Sequence, residues 1–135
     1  MKNSRTRILV ADDDPVYREV AKEALESAGH AVTVAADGVE AMAAVAAIQF
    51  DAAIIDLNMP KADGIAVISA ARANGPNVTT PIIVVTGHDD ANAIEIAYKA
   101  GATSFLTKPL NWVLFTPHVN FVLRSGQIES QLRAA

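Results

Sequence analysis

Short apolar runs alternate with longer stretches of helical periodicity along this chain. Five runs predict strands, at Ile8–Ala11, Ala31–Ala35, Ala52–Ile55, Ile82–Thr86 and Ser104–Leu106. Several of these runs are continuously apolar, which is typical of strands covered on both faces of a parallel sheet. Helices are predicted at Pro15–Ala28, Gly38–Ile48, Gly64–Asn74 and Asp90–Ala100, and a last helix follows Asn111. The alternation predicts the α/β class: a doubly wound (βα)5 flavodoxin-like domain with a five-stranded parallel sheet.

Residues at the predicted element ends support these boundaries. Asp14 stands before Pro15, an order that predicts a helix N-cap followed by proline at the first helical position. Gly29 and Gly101 fit helix C-caps, and Asn111 fits the N-cap of the last helix.

Composition narrows the class of protein. The 135 residues are 51% apolar and 19% charged, which fits one folded domain with a sizeable core. The net charge of −4 argues against direct nucleic acid binding, which favours a basic surface. The absence of cysteine excludes a disulfide framework and fits the cytoplasm. No apolar run approaches the roughly 18 residues of a membrane span, so no membrane contact is expected.

Polar side chains stand where four predicted strands end. Ligands of doubly wound sheets bind at the carboxyl ends of the strands, so these residues are expected to meet in space. Three acids follow the first strand, one acid follows the third, a hydroxyl and a glycine end the fourth, and a lysine follows the fifth: Asp12, Asp13, Asp14, Asp56, Thr86, Gly87 and Lys108.

Crowded carboxylates favour a bound cation. Two carboxylates about 4 Å apart repel by roughly 4 kcal/mol at an effective dielectric of about 20. Oxygen ligands with room for water suit Mg²⁺. Asp56 could then attack phosphorus as a nucleophile, with metal and Lys108 neutralising the phosphoryl oxygens. Each residue also has an ordinary interpretation: the Asp12–Asp14 run as a solvated helix start, Asp56 as a turn residue, and Lys108 as an exposed lysine.

Four segments together resemble the receiver domain of two-component response regulators. They are "ILVADDDP", "IIDLNMPKADG", "PIIVVTG" and "SFLTKPL", and the similarity extends from about Thr6 to Arg124. The resemblance implies that Asp56 accepts a phosphoryl group from a phosphohistidine of a partner histidine kinase or phosphotransfer protein. It also implies a Mg²⁺ cofactor, held by Asp13 directly, by Asp12 through water, by Asp56 and by the backbone carbonyl of Asn58. Asp14 is interpreted as a cap more than a ligand.

The resemblance further implies a conformational switch. Thr86 and Lys108 would contact the phosphoryl group, and Phe105 stands where the family has its switch aromatic. Movement of Thr86 toward the phosphoryl oxygens would let Phe105 rotate inward. The surface of the fourth helix, fifth strand and fifth helix would then change and control an output or partner. Such a domain promotes only its own phosphorylation and dephosphorylation and is not otherwise an enzyme.

The last segment predicts a contact surface. Leu114, Phe121 and Ile128 recur every seven residues on a face other than the one expected to meet the sheet. They are interpreted as a possible homodimer or partner surface, with scattered exposed apolar residues as the alternative. Pro117 is expected to kink or restart the helix.

We expect residues 1–124 to form the receiver and 125–135 a helical extension, or the start of a linker to an output module such as a diguanylate cyclase, a cyclic-di-GMP phosphodiesterase or a kinase.

Other classes of protein remain open from the sequence. A haloacid-dehalogenase-like phosphatase would use Asp12 as nucleophile, but it leaves Asp56 without a role. A dimerisation module that no longer accepts phosphate is a second alternative. His88 follows the fourth strand closely, and no role is assigned to it.

Overall fold

Strands and helices alternate along residues 5–87 and 91–134, the part of the chain that the computed structural model describes. The strands are β1 (Arg7–Ala11), β2 (Ala31–Ala35), β3 (Ala52–Asp56), β4 (Ile82–Thr86) and β5 (Ser104–Thr107). The helices are α1 (Pro15–Ser27), α2 (Gly38–Ala47), α3 (Gly64–Ala73), α4 (Ala91–Ala100) and α5 (Trp112–Ala134). All five predicted strands and five predicted helices are therefore confirmed, with small differences at their ends.

The five strands form one parallel sheet in the order β2-β1-β3-β4-β5. The strand order reverses at β1, because β2 lies on one side of β1 and β3 on the other, and the ends of β1 and β3 are therefore adjacent. Ala11 pairs with Ile55 and Thr86 pairs with Thr107, so the carboxyl ends of β1, β3, β4 and β5 reach the same edge. This topology confirms the predicted doubly wound fold and places its switch point where ligands bind in such sheets.

Helices cover both faces of the sheet. Helices α2, α3 and α4 enclose one core with residues such as Leu9, Ile55 and Val84. Helices α1 and α5 enclose the other, where Phe115 and Val119 of α5 are almost completely buried. Strands β3 and β4 are buried along their whole length, which explains why they read as uninterrupted apolar runs.

The sequence predicted a kink or a restart at Pro117. Helix α5 continues through Pro117, so the restart is wrong, and the kink stays a prediction. Gly126, further along the same helix, packs directly against Pro81. A Cβ at Gly126 would lie 2.8 Å from Cγ of Pro81, so the glycine allows the helix to approach the sheet closely. The helix then continues to Ala134.

Within the two described ranges, no helix is both long and apolar enough to cross a bilayer. The cytoplasmic location expected from the sequence stays a prediction.

Candidate functional site

Three carboxylates converge where β1 and β3 end. One oxygen from each of Asp12, Asp13 and Asp56 lies within 4.8 Å of the others. Asp12 and Asp56 are buried, whereas Asp13 is exposed to solvent. Two buried acids and one open acid provide hard oxygen ligands with space for water, which is the donor set that Mg²⁺ prefers. The residues present therefore fit a divalent cation.

Asp14 lies outside this acidic cluster and caps helix α1. Its Oδ1 accepts hydrogen bonds from the backbone N–H groups of Val16 at 2.8 Å and Tyr17 at 3.5 Å. The interpretation of Asp14 as a cap is thus confirmed.

Lys108 enters the acidic cluster from β5. Its Nζ lies 3.0 Å from Oδ2 of Asp12 and 3.4 Å from Oδ2 of Asp56. Its backbone N–H donates to the carbonyl of Thr86 at 2.8 Å, which ties it to the end of β4. Burial alone would lower the pKa of Lys108, but the ion pairs with Asp12 and Asp56 outweigh burial and raise that pKa. The lysine is therefore a fixed positive charge beside both buried acids.

The surroundings of Asp56 act on the pKa of its carboxyl group in opposite directions. Burial, together with the charge of Asp12, raises the pKa of Asp56 to about 6, although the N–H of Asn58 and the charge of Lys108 act in the opposite direction. The Asn58 N–H donates to Oδ1 at 3.0 Å, while Lys108 faces Oδ2. Both oxygens of the carboxylate are thus oriented, and a cation in the cluster would favour the ionised form, against the effect of burial.

Thr86 and Phe105 occupy different environments. Thr86 ends β4 and is buried beside the site. Phe105 is 39% exposed, and its ring packs edge-on against Tyr98 with the centroids 6.2 Å apart. The predicted switch aromatic therefore points outward in this structure.

The loop after Asp56 is held by a contact that the sequence did not suggest. The Gly38 N–H donates to the carbonyl of Pro60 at 3.2 Å, and Lys61 pairs with Asp37 at 3.3 Å. A Cβ at Gly38 would overlap the backbone of Ala62, so only glycine allows this approach. The N-terminus of α2 thereby fixes the loop that carries Asn58.

A second unpredicted feature is an aromatic ring beside the lysine. The ring centroid of Tyr17 lies 4.3 Å from the Lys108 Nζ. The two residues are far apart in sequence, so local sequence does not indicate their contact. The sequence shows only that an aromatic residue follows the first acidic run closely.

The predicted contact surface on α5 is exposed. Leu114, Phe121 and Ile128 are 60%, 59% and 55% exposed, and Leu132 is 72% exposed. His88 and the neighbouring acids at 89–90 lie outside the described residues.

Comparison with known proteins matches most of this chain to one family. The family model for the response regulator receiver domain matches residues 8–119. The response regulator MprA of Mycobacterium ulcerans is 35% identical over 123 residues, which are 91% of this chain and 52% of that protein. The chain thus spans about half the length of the curated relatives it matches.

Solved structures agree in fold. A CheY-like response regulator receiver domain protein from Methanospirillum hungatei has a TM-score of 0.87 and 27% identity, covering 93% of this chain and 99% of that chain. The receiver domain of the sensor histidine kinase PA1611 from Pseudomonas aeruginosa has a TM-score of 0.81 and 28% identity, covering 89% and 98% of the two chains. That second structure contains a magnesium ion coordinated in its active-site cleft.

Proposed function

The chain belongs to the response regulator receiver family, a family of regulatory domains, and we propose from this premise that Asp56 is its phosphoacceptor. The observation that carries the proposal is the contact of one lysine with two buried carboxylates at the edge of the sheet. Receiver domains act as phosphorylation-activated signalling switches, and the acidic cluster with its lysine supports this role for the chain.

The chemistry is a phosphoryl transfer between two side chains. An oxygen of the Asp56 carboxylate attacks the phosphorus of a phosphohistidine on a partner kinase or phosphotransfer protein. The P–O bond forms as the P–N bond breaks, and the imidazole leaves with the electron pair. Hydrolysis of the resulting acyl phosphate by water returns the carboxylate, so the domain catalyses only its own modification.

Residues around Asp56 stabilise the charge that develops. The Lys108 ammonium lies close enough to Oδ2 of Asp56 to contact a phosphoryl group attached to that carboxylate. Thr86 ends β4, the strand next to β3, so it lies at the same edge of the sheet. Asp12, Asp13, Asp56 and the Asn58 carbonyl would hold Mg²⁺, which supplies a Lewis acid for the phosphoryl oxygens. The magnesium-containing relative supports this assignment.

Phosphorylation would bias a two-state equilibrium. The phosphoryl group adds about −1.5 to −2 charges and three acceptor oxygens. Thr86 would move toward them, and Phe105 would leave its contact with Tyr98 and turn inward. A change in the ratio of active to inactive conformations from 1:99 to 99:1 needs about 5.5 kcal/mol of differential stabilisation. Charge-assisted hydrogen bonds to the phosphoryl group contribute roughly 1.5–3 kcal/mol each.

The function predicts magnesium-dependent labelling. Incubation with acetyl phosphate and Mg²⁺ is expected to add one phosphoryl group, because the cation offsets repulsion between the donor and the acidic cluster. Excess EDTA should abolish the addition, and renewed Mg²⁺ should restore it. Intact-protein mass spectrometry measures this directly. Equal labelling with and without EDTA would contradict the proposed role of the metal.

No finding favours the phosphatase alternative. The family model matches receivers, and Asp56 belongs to the acidic cluster and contacts Asn58 and Lys108. A phosphatase with Asp12 as nucleophile would leave these contacts unexplained.

The partner surface on α5 is proposed to bind a second copy of this chain. Leu114, Phe121 and Ile128 repeat at seven residues, the period of a left-handed coiled coil. Arg124 and Glu129 are five residues apart, the spacing that brings opposite charges together across a parallel two-stranded coil. The extension from residue 125 would then carry the paired helices toward an output module or partner.

The dimer has its own test. Phe121→Glu places a charge in the middle of the proposed stripe and is expected to weaken self-association at least about tenfold. Val39→Glu is the matched control, because Val39 is a similarly exposed apolar residue on α2. Sedimentation analysis of the phosphorylated proteins measures the dissociation constants. A wild-type protein that stays monomeric at its highest soluble concentration would contradict the dimer.

A further inference from the structure

Lys108 has a third neighbour besides the two acids. Its Nζ lies over the ring of Tyr17, 4.3 Å from the centroid. A cation at this distance is attracted by the negative face of an aromatic ring. The side chain of Lys108 is only 18% exposed, so water screens this attraction weakly. The ammonium group is therefore held between two carboxylates on one side and a ring on another.

Two further aromatic rings support the ring of Tyr17. It contacts the ring of Trp112 with centroids 5.6 Å apart, and Trp112 packs edge-on against Phe115 at 5.2 Å. Phe115 is only 2% exposed and belongs to the core between α1, α5 and the sheet. Three rings thus connect the core to the lysine.

We propose that Tyr17 is a positioning residue that holds the Lys108 ammonium at the phosphoryl site. The proposal rests on the proposed function, in which Lys108 contacts the transferred group. A cation held in the acidic cluster would compete with Lys108 for the negative charge of Asp12 and Asp56, its partners in this structure. The ion pairs of Lys108 would then weaken before a phosphoryl group arrives to replace them. The ring face does not bind the metal, so it keeps the ammonium in place during this interval.

A purely space-filling role would predict different behaviour. Within the described residues the Tyr17 hydroxyl makes no hydrogen bond, so the ring and not the hydroxyl carries the proposed effect. Phenylalanine retains the ring face, whereas leucine keeps much of the apolar volume and loses the face. These two substitutions separate attraction to the cation from simple packing.

The first readout is the rate of phosphorylation by acetyl phosphate with saturating Mg²⁺. Tyr17→Leu is expected to lower the rate roughly three- to tenfold, the range of a partly buried cation–ring contact. Tyr17→Phe should restore most of the wild-type rate. In a Lys108→Ala background, Tyr17→Leu should cause no further loss, because the group that the ring positions is absent. An equal loss in both backgrounds would overturn the proposal.

The second readout does not depend on phosphorylation. The Tyr17 ring is expected to shift the NMR resonances of the Lys108 side-chain CH₂ next to Nζ, and ¹³C-labelled lysine reports them. With Mg²⁺ bound, the ring-induced shift is expected in the wild type and Tyr17→Phe and should be absent in Tyr17→Leu. Loss of the shift in the wild type upon Mg²⁺ addition would overturn the positioning role. Absence of phosphorylation in the wild type, with the shift intact, would instead contradict the proposed function.

Discussion

Asp56→Asn is expected to abolish phosphoryl incorporation from acetyl phosphate. The amide lacks the carboxylate oxygen that forms the acyl phosphate, and the neighbouring carboxylates of Asp12 and Asp13 are assigned to the metal. Asp51→Asn is the matched control, because Asp51 is an exposed acid just before the same strand and lies at the opposite edge of the sheet. Intact mass measured over time compares the two variants. Labelling of Asp56→Asn at the wild-type level would show that another residue is the acceptor.

Loss of labelling in Asp56→Asn should not reflect unfolding. The folded state raises the pKa of Asp56 to about 6 from an ordinary value of 3.8, mainly through burial. The folded protein therefore holds this proton more tightly than the unfolded chain does. The stability that the protonated group contributes is lost as the pH rises through about 6, so ionised Asp56 opposes folding at pH 7. A neutral asparagine removes this cost, and thermal unfolding at pH 7 without Mg²⁺ should show no loss of stability.

Lys108→Ala is expected to change two measured quantities in opposite directions. The phosphorylation rate should fall by about a hundredfold, because a charge that stabilises the transferring phosphoryl group is removed. Mg²⁺ should bind more tightly, because Lys108 no longer competes for Asp12 and Asp56, its partners at 3.0 and 3.4 Å. Stopped-flow measurement of the rate and calorimetric titration with Mg²⁺ provide the two values.

A matched variant distinguishes this effect from a general change in charge. Lys99→Ala removes an exposed lysine of α4 that pairs only weakly with Glu95. It should leave both the rate and the Mg²⁺ affinity near the wild-type values. If Lys108→Ala weakened Mg²⁺ binding as well as slowing phosphorylation, the variant would have damaged the site as a whole, and the competition between lysine and metal would be wrong.

The convergence of the acids and the lysine could be predicted because it follows from topology. In a parallel sheet the carboxyl ends of all strands lie at one edge, so Asp12, Asp56 and Lys108 were expected at the same edge once the strands were identified. Uninterrupted apolar runs such as that of β4 made this identification reliable. The capping role of Asp14 followed in the same way from local sequence.

Contacts between side chains on different elements could not be predicted from local pattern. From local sequence alone Tyr17 is an ordinary helix residue. Only the packing of α1 beside α5 brings the ring of Trp112 into contact with it. Gly38 was predicted as the first residue of a helix, and its close approach to the Pro60 loop appears only when α2 packs against that loop. Helix α5 continues through Pro117 because its buried face, which includes Phe115 and Val119, outweighs the loss of one backbone hydrogen bond.

Identification of the esterified residue tests the central claim most directly. After incubation with acetyl phosphate and Mg²⁺, borohydride reduces an aspartyl phosphate to homoserine, and peptide mass spectrometry locates the change. The account predicts homoserine at position 56 only, and none when EDTA replaces Mg²⁺. Homoserine at position 12 instead, or no reduction product in the presence of Mg²⁺, would contradict it.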